Sequence, residues 1–249
     1  MNKYYDYFHS TKNYNEDIQF VVEYLKKSSI ENLEEIFEIG CGTGNHTLLL
    51  SKLFKRVSAF DIDPEMLECL KSKLQERKID NVEFRILPLS PMQLSLMAQK
   101  FTLGCSFFNV LNYVLDYSDL VTFFKTASNF LCNNGLFFFD CYKEDMFQEK
   151  IINKENVYKG EGFHFIRYIK TVYDDQKRLA AVDSKIIDYQ TNGEYSFVNT
   201  YKVWKEKDIE DALTISGLEI ILHEKKQKLF PQGAYQTQDI YCAVRKEFV

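Results

Sequence analysis

The stretch that decides the fold is Ile36-Phe-Glu-Ile-Gly-Cys-Gly-Thr-Gly-Asn-His46, a mostly apolar run that leads into three glycines at alternate positions. Leu49, Leu50 and Leu53 follow at helical spacing, so the segment predicts a strand, a glycine loop and a helix. Glycine is needed where the chain turns sharply and where a ligand must touch the backbone itself. In this context the loop can hold a nucleoside cofactor.

The next strand, Val57-Ser-Ala-Phe-Asp61, ends in a carboxylate 21 residues after Gly40. An acidic side chain at that strand end is placed to accept hydrogen bonds from ribose hydroxyls. The glycines do not follow the usual dinucleotide pattern, because the third one falls at the fifth position of the motif and not at the sixth. An oxidoreductase that binds NAD would also use a glycine loop and an acidic strand end, so it stays open as an alternative although its glycine spacing differs, and titration with NAD would test it.

These residues resemble a known family, the class I S-adenosylmethionine (SAM) dependent methyltransferases. The pattern Glu38-x-Gly40-x-Gly42-x-Gly44 followed by Asp61 is similar to the first motifs of that family. The resemblance implies an enzyme that uses SAM as its cofactor and releases S-adenosyl-L-homocysteine (SAH).

Three later segments continue the resemblance. Residues 63–67, Asp-Pro-Glu-Met-Leu, are similar to the family's helix start, in which the aspartate can cap the helix and the proline suits its first position. Residues 107–113 resemble the fourth-strand motif, whose end faces the transferred methyl group. Residues 131–140 resemble the turn into strand five.

The segment 84–92 departs from the family, because it lacks the carboxylate that usually binds the adenine amino group. Adenine recognition is therefore expected to use backbone groups, Ser90 or Gln93, or to be weaker. The cofactor contacts that the resemblance implies lie in the glycine loop, at the two strand ends and in the N-terminal segment. They are Glu38, Gly40, Cys41, Gly42, Gly44, His46, Asp61, Ile62, Met66, Leu87, Ser90, Phe107 and Tyr14.

Strands and helices alternate up to about residue 142, which predicts a parallel, doubly wound sheet. Three runs rich in β-branched and aromatic residues follow at 162–173, 179–189 and 195–204, separated by turn-forming residues. The predicted fold class is thus α/β, a Rossmann-like, seven-stranded class I methyltransferase sheet with an antiparallel three-stranded meander inserted after strand five.

Three regions follow from this organisation. Residues 1–31 are predicted to form an N-terminal helical lid segment. Residues 32–152 and 205–249 are predicted to form the SAM-binding α/β core. Residues 153–204 are predicted to form an antiparallel β insert that covers the acceptor site, although a sheet that only dimerises remains an alternative.

The resemblance implies that the insert corresponds to the sheet that covers the acceptor pocket in small-molecule methyltransferases. Those that methylate the amino group of nucleotide-linked sugars are the most similar in organisation. The implied acceptor is a small, carbohydrate-linked molecule. O-methylation of a carbohydrate and a catalytically silent SAM-binding scaffold stay open as alternatives. The residues expected to orient the acceptor or assist the transfer are Asn112, Tyr113, His164 and Tyr14.

Composition narrows the class of protein further. The net charge of −5 argues against a nucleic-acid substrate, which is normally met by a basic surface. No apolar run approaches 18 residues and the N-terminus has no apolar signal region, so we expect a cytoplasmic protein without a membrane span. The six cysteines show no metal-ligand spacing, and a metal-independent transfer by a monomer or homodimer is expected.

Overall fold

The computed structural model describes residues 4–28, 34–87, 100–147, 149–229 and 235–246. The helices in these ranges are α1 (Tyr5–Phe8), α2 (Asn15–Lys27), α3 (Thr47–Leu50), α4 (Pro64–Arg77), α5 (Tyr117–Phe130) and α6 (Glu206–Ile215). The first five strands are β1 (Glu35–Ile39), β2 (Arg56–Asp61), β3 (Val82–Ile86), β4 (Phe101–Ser106) and β5 (Leu131–Tyr142). The remaining strands are β6 (Ile151–Gly160), β7 (Phe163–Asp174), β8 (Leu179–Asp188), β9 (Gly193–Lys202), β10 (Leu218–Leu229) and β11 (Tyr235–Arg245).

The larger sheet has seven strands in the order β10-β11-β5-β4-β1-β2-β3. Strands β1 to β5 are parallel, whereas β11 is antiparallel to both β5 and β10. The strand order reverses between β1 and β4, and ligands bind at such a reversal, outside the carboxyl ends of the strands. The glycine loop after β1 lies at this reversal. The predicted seven-stranded α/β fold is confirmed.

Aromatic side chains fill the core between this sheet and its helices. The ring of Phe37 on β1 packs against Phe101, Phe130 and Phe137, with centroids 5.3 to 5.8 Å apart. The neighbouring strand must carry glycine at position 104, because a Cβ there would lie 2.1 Å from the Phe37 ring. The close approach of β1 and β4 therefore depends on one missing side chain.

The helix start predicted at residues 63–67 is confirmed. The Asp63 side chain accepts a hydrogen bond of 2.8 Å from the backbone N–H of Glu65, and Pro64 occupies the first helical position. This cap fixes the direction in which α4 leaves β2, and so it fixes the backbone next to Asp61.

The insert is a separate antiparallel sheet with the order β6-β7-β8-β9. It therefore has four strands where the sequence predicts three. The additional strand, β6, contains the polar run Asn153-Lys-Glu-Asn156, so its sequence lacks the apolar alternation that identifies the other three. The two predicted turns are present, and each contains a residue with positive φ, Arg178 at 54° and Asn192 at 52°.

The N-terminal segment packs against the insert. Tyr4 donates a hydrogen bond of 2.6 Å to the buried carboxylate of Asp188 on β8, and its ring meets Phe165 of β7 edge to face. Helix α1 is thereby held between the smaller sheet and the end of the larger one. Among the described residues, none of the helices combines the length and the apolar character needed to cross a membrane.

Candidate cofactor and acceptor site

All three glycines of the loop after β1 have positive φ, 75° at Gly40, 54° at Gly42 and 86° at Gly44. A Cβ at Gly40 would collide with Val110, and one at Gly44 would collide with Leu70. A Cβ at Gly42 would meet nothing within 4 Å. Gly40 and Gly44 therefore allow the protein to pack closely around the loop, whereas Gly42 exposes its backbone to open space where a ligand can approach.

The carboxylate of Asp61 lies directly beside this loop. It accepts hydrogen bonds from the backbone N–H groups of Gly42 (2.6 Å) and Asp63 (2.9 Å). Burial raises the pKa of Asp61, and these N–H groups partly oppose the shift. Each carboxylate oxygen can accept more than one hydrogen bond, so the group can bind the loop and a ribose hydroxyl together.

The other predicted cofactor contacts near Asp61 differ in their exposure and position. Ile62 is exposed and Met66 is half-buried at the start of α4. Leu87 follows β3, and its N–H donates to the Asp61 carbonyl (2.9 Å) while its side chain packs on the core. Ser90 lies outside the described residues, so the structure does not place it.

Glu38 lies beneath the glycine loop and is completely buried. Its carboxylate accepts a hydrogen bond of 2.6 Å from the Thr47 hydroxyl at the start of α3. Burial raises the pKa of Glu38 to about 7, and the charge of Asp61 adds to this shift although the Thr47 bond opposes it. Glu38 therefore connects the strand before the loop to the helix after it. Cys41, in the loop, is also buried against the core.

Asp6 of α1 fastens the N-terminal segment onto the loop. Its carboxylate accepts hydrogen bonds from Thr43 (2.7 Å) and Asn45 (3.0 Å), and Lys73 of α4 lies 2.8 Å away. Partial burial would raise the pKa of Asp6, but the bonds from Lys73, Thr43 and Asn45 outweigh it and lower the pKa. The Tyr14 hydroxyl accepts a further bond from Asn45 (3.2 Å), so these contacts hold the N-terminal segment against the loop.

His46 is engaged in a buried ion cluster. Its Nε2 lies 3.0 Å from the carboxylate of Asp17 on α2, which also pairs with Lys12 at 2.7 Å. The ring meets Tyr14 edge to face, with centroids 4.9 Å apart. His46 therefore anchors α2 and Tyr14 beside the glycine loop.

The turn after β4 is strained and is held by a buried carboxylate. Phe108 and Asn109 are consecutive residues with positive φ, 72° and 61°. Their backbone N–H groups donate to Asp140 of β5 at 2.9 and 2.6 Å. Burial raises the pKa of Asp140 to about 7, and the charge of Asp17 adds to the shift.

Asn109 has a buried side chain in which neither the Nδ2 nor the Oδ1 has a hydrogen-bond partner. Such groups are rare in folded proteins, because leaving an amide buried and unpaired costs about 1 to 3 kcal/mol. The sequence did not single out Asn109. Phe107, two residues earlier, is predicted to contact the cofactor, but the structure buries it among the residues of α2 and β5.

Asn112 is fully buried and joins the two sheets. Its Oδ1 accepts from the Tyr142 N–H (2.8 Å) and its Nδ2 donates to the Lys202 carbonyl (2.7 Å). Tyr113, the next residue, places its hydroxyl 3.1 Å from that of Tyr201 on β9. Of the two predicted residues, Tyr113 presents a polar group in the space between the sheets, whereas both amide atoms of Asn112 are occupied.

The inner face of the four-stranded sheet covers this end of the core. Along β7 it carries Phe165, Arg167 and Tyr173, because alternate residues of a strand share a face. His164 lies on the opposite face, where its ring stacks on Tyr189 with centroids 4.7 Å apart. The structure therefore does not bring His164 to the site, and Arg167 stands on the face that the sequence assigned to the histidine.

The glycine loop, the turn after β4 and the inner face of the four-stranded sheet border a space that we call the crevice. His9, which the sequence did not select, lies at this crevice beside Phe108. Its ring lies 4.7 Å from the rings of Tyr5 and Phe108. Burial lowers the pKa of His9 to about 4, and the charges of Arg167 and Lys12 lower it further. The imidazole is therefore neutral at pH 7 and can both donate and accept a hydrogen bond.

The sequence matches a known family over part of its length. Residues 36–135 match the family described as a methyltransferase domain. A protein of Geobacillus sp. (strain WCH70), provisionally named a methyltransferase, is 27% identical over 141 residues, 55% of this chain and 56% of the relative. The trans-aconitate 2-methyltransferase of Escherichia coli O1:K1 / APEC is 36% identical over 66 residues, 26% of each chain. The matched part thus spans about half or less of these curated relatives.

Solved structures resemble the fold over nearly its whole length. A SAM-dependent methyltransferase from Clostridium acetobutylicum ATCC 824 has a TM-score of 0.79 at 21% identity, covering 98% of this chain and 96% of that chain. The sugar N-methyltransferase KedS8 from Streptoalloteichus sp ATCC 53650 gives 0.75 at 17% identity, covering 98% and 93%. The amino pentose methyltransferase CalS10 from Micromonospora echinaspora gives 0.72 at 15% identity, covering 96% and 94%. At these identities the likeness concerns the fold.

Proposed function

We infer from its methyltransferase domain and class I fold that this chain is a SAM-dependent methyltransferase, and we propose that it methylates a small-molecule acceptor bound beneath the four-stranded sheet. The predicted family, with SAM as its cofactor, is confirmed by that domain and fold. The acceptor and the roles of individual residues are proposals that rest on the geometry of the crevice.

The residues at the ends of β1, β2 and β4 fit a bound SAM. Gly42 faces open space, so the loop backbone is accessible to a ligand. Asp61 would accept hydrogen bonds from the ribose hydroxyls. The unpaired amide of Asn109 would be satisfied by polar groups of the amino-acid end of the cofactor.

The bound cofactor supplies a methyl group that its sulfonium already activates. The protein then has to align the acceptor with this methyl group and exclude water. Asp6 closes the lid over the glycine loop, and Tyr113 with Tyr201 offers hydroxyls that can orient the acceptor. His9, neutral at pH 7, can accept a hydrogen bond from the attacking group as it loses its proton.

An amine on a sugar or sugar nucleotide is the acceptor that we favour. The solved structures with similar sheets include a sugar N-methyltransferase and an amino pentose methyltransferase, which supports this choice. An amine needs only to be neutral when it attacks, and His9, with its lowered pKa, is a weak base. Methylation of a carbohydrate hydroxyl is the second candidate, since the same hydroxyl pair could hold such an acceptor.

The observation that carries the proposal is the pairing of an accessible glycine loop with a lid and a polar, tyrosine-lined cover. The test is release of SAH from SAM in the presence of matched amino-sugar and hydroxy-sugar nucleotides across pH. Turnover at subsaturating amine should rise with pH towards the pKa of the amine itself. Methylation of oxygen alone would overturn the amine assignment, and SAH binding without transfer to any acceptor would favour a silent scaffold.

A further inference from the structure

Arg167 is a half-buried cation on the inner face of the four-stranded sheet. Its Nη2 and Nε donate to the Ser184 hydroxyl at 2.9 and 3.3 Å, and its guanidinium carbon lies 4.1 Å from the centroid of the Phe8 ring. Phe197 lies on its other flank at 5.8 Å. The side chain is therefore held in one position between the sheet and α1.

The charge of Arg167 is not matched by a carboxylate. Among the described residues no Asp or Glu comes within 4.0 Å of its guanidinium. Its neighbours on the same face of the adjacent strands are Lys154, Asn156, Tyr158, Ser184, Ile186 and Asp188, and the one carboxylate among them, Asp188, accepts a hydrogen bond of 2.6 Å from Tyr4. Burial lowers the pKa of Arg167, which reflects the cost of removing a cation from water without an anion in contact with it.

The known contacts of Arg167 leave part of its binding capacity unused. A guanidinium has five N–H donors; two of them point to the Ser184 hydroxyl and the Tyr158 hydroxyl is a further hydrogen-bond partner, so donors remain for a ligand. The aromatic rings of Phe8 and Phe197 offset part of the desolvation cost but accept none of the remaining hydrogens. A ligand with oxygen acceptors would complete this arrangement.

Other donors surround the same space. His9 follows Phe8, whose ring lies 4.1 Å from the guanidinium carbon, and the charge of Arg167 is among the causes of the lowered pKa of His9. Tyr158 on β6 stands opposite Phe165, next to Arg167 on the same face, and the hydroxyls of Tyr113 and Tyr201 lie 3.1 Å from each other. The cover thus presents a fixed cation, a neutral imidazole and several hydroxyls.

We propose that Arg167 and His9 form a subsite for an oxyanion, a carboxylate or a phosphate, that the acceptor carries in addition to its methylated group. The planar guanidinium matches such oxyanions through two parallel hydrogen bonds. The inference rests on the proposed function, and it narrows the acceptor to acidic sugars and phosphorylated or nucleotide-linked sugars. Neutral sugars would leave the cation unpaired.

The test uses the full chain saturated with SAH, so that no turnover occurs. Pyrophosphate and glucuronate are titrated separately by calorimetry into the wild type, Arg167→Met, Arg167→Lys and the control Lys170→Met. Lys170 is an exposed cation on the outer face of the same strand, so its variant has the same change in net charge. SAH affinity and thermal unfolding are measured for every variant.

We expect the wild type to bind at least one of the two anions, with pyrophosphate indicating a phosphate and glucuronate a carboxylate. Arg167→Met should weaken that binding by about tenfold or more, whereas Lys170→Met should leave it unchanged. Arg167→Lys should retain part of the affinity because it keeps the charge.

Two results would overturn the proposal while leaving the proposed function intact. One is SAH binding by a wild type that binds neither anion. The other is equal loss of SAH and anion affinity in both Arg167 variants, which would mean that Arg167 only seats the lid through Phe8. A wild type that does not bind SAH would instead contradict the proposed function itself.

Discussion

The two walls of the crevice are built in different ways. The cofactor wall, formed by the glycine loop and Asp61, is made of backbone groups and one carboxylate within a single strand-loop-helix-strand unit. The acceptor wall, formed by α1, the turn after β4 and the inner face of the four-stranded sheet, is made of side chains far apart in the sequence. Cofactor binding and acceptor binding should therefore respond separately to mutation.

The largest effect should come from the cofactor wall. Asp61→Ala removes a carboxylate that holds the loop N–H of Gly42 and that we assign to the ribose hydroxyls. We expect SAH binding to weaken by about 1.5 to 3 kcal/mol, or roughly 10- to 150-fold, as measured by calorimetry. Asp80→Ala, which removes an exposed carboxylate, is the control. Unchanged affinity in Asp61→Ala would remove Asp61 from the ribose site.

The next effect should come from the acceptor wall. Tyr113→Phe deletes one hydroxyl of the pair with Tyr201 and leaves the ring in place. We expect kcat/KM for the acceptor to fall about five- to tenfold, the scale of one neutral hydrogen bond, while SAH affinity stays the same. Tyr189→Phe on the outer face is the matched control. A parallel loss of SAH affinity would show that the two walls are not separable.

The difference between the walls also explains how much the sequence could predict. Regular glycine spacing and a carboxylate at a strand end are local signals, so the fold, the loop and the domain type could be predicted from residues 36–61 and the motifs after them. The acceptor wall has no such signal. Both faces of β7 carry large residues, as in Phe163-His-Phe-Ile-Arg167, and alternation alone cannot tell which face is buried.

Asn109 and His9 could not be predicted for a related reason. Asn109 matters because its amide is buried without a partner, and His9 because α1 folds back against Phe108. Neither fact is visible before the chain is packed. The prediction for Ser90 remains a prediction, since that residue lies outside the described ranges.

Lowering the pH should have a moderate effect on closure of the N-terminal segment, because His9 becomes protonated. Its pKa lies near 4 in the closed lid and near 6.5 in an exposed chain, so the open or unfolded form binds the extra proton between these values. The contribution of His9 to lid closure is therefore complete above pH 6.5 and is lost as pH falls towards 4. Hydrogen exchange of α1 at pH 7 and pH 4.5 measures this opening.

In His9→Gln, the part of this opening that comes from His9 should disappear. Asp6 also holds this segment closed, but its pKa is lowered. Its carboxylate is therefore protonated, and its hydrogen bonds are weakened, only below the pH at which an ordinary aspartate is protonated. The same pH dependence in wild type and His9→Gln would assign the opening to groups other than His9.

The smallest effect is expected at His164. Its ring stacks on Tyr189 on the outer face, away from Phe165 and Arg167. We expect His164→Ala to change kcat/KM by less than about twofold, as is usual for surface substitutions. Steady-state kinetics on the acceptor used for Tyr113→Phe measures this value. A tenfold loss would mean that the outer face, and not the inner one, meets the acceptor.

The most direct test of the account is a calorimetric comparison of SAH and NAD with the wild-type chain. We propose a nucleoside site beside Gly42 and Asp61, which are hydrogen-bonded to each other, and we assign it to the methyltransferase cofactor because residues 36–135 match a methyltransferase domain. We predict that SAH binds with a stoichiometry of about one per chain and that NAD does not bind. Binding of NAD without binding of SAH would contradict it.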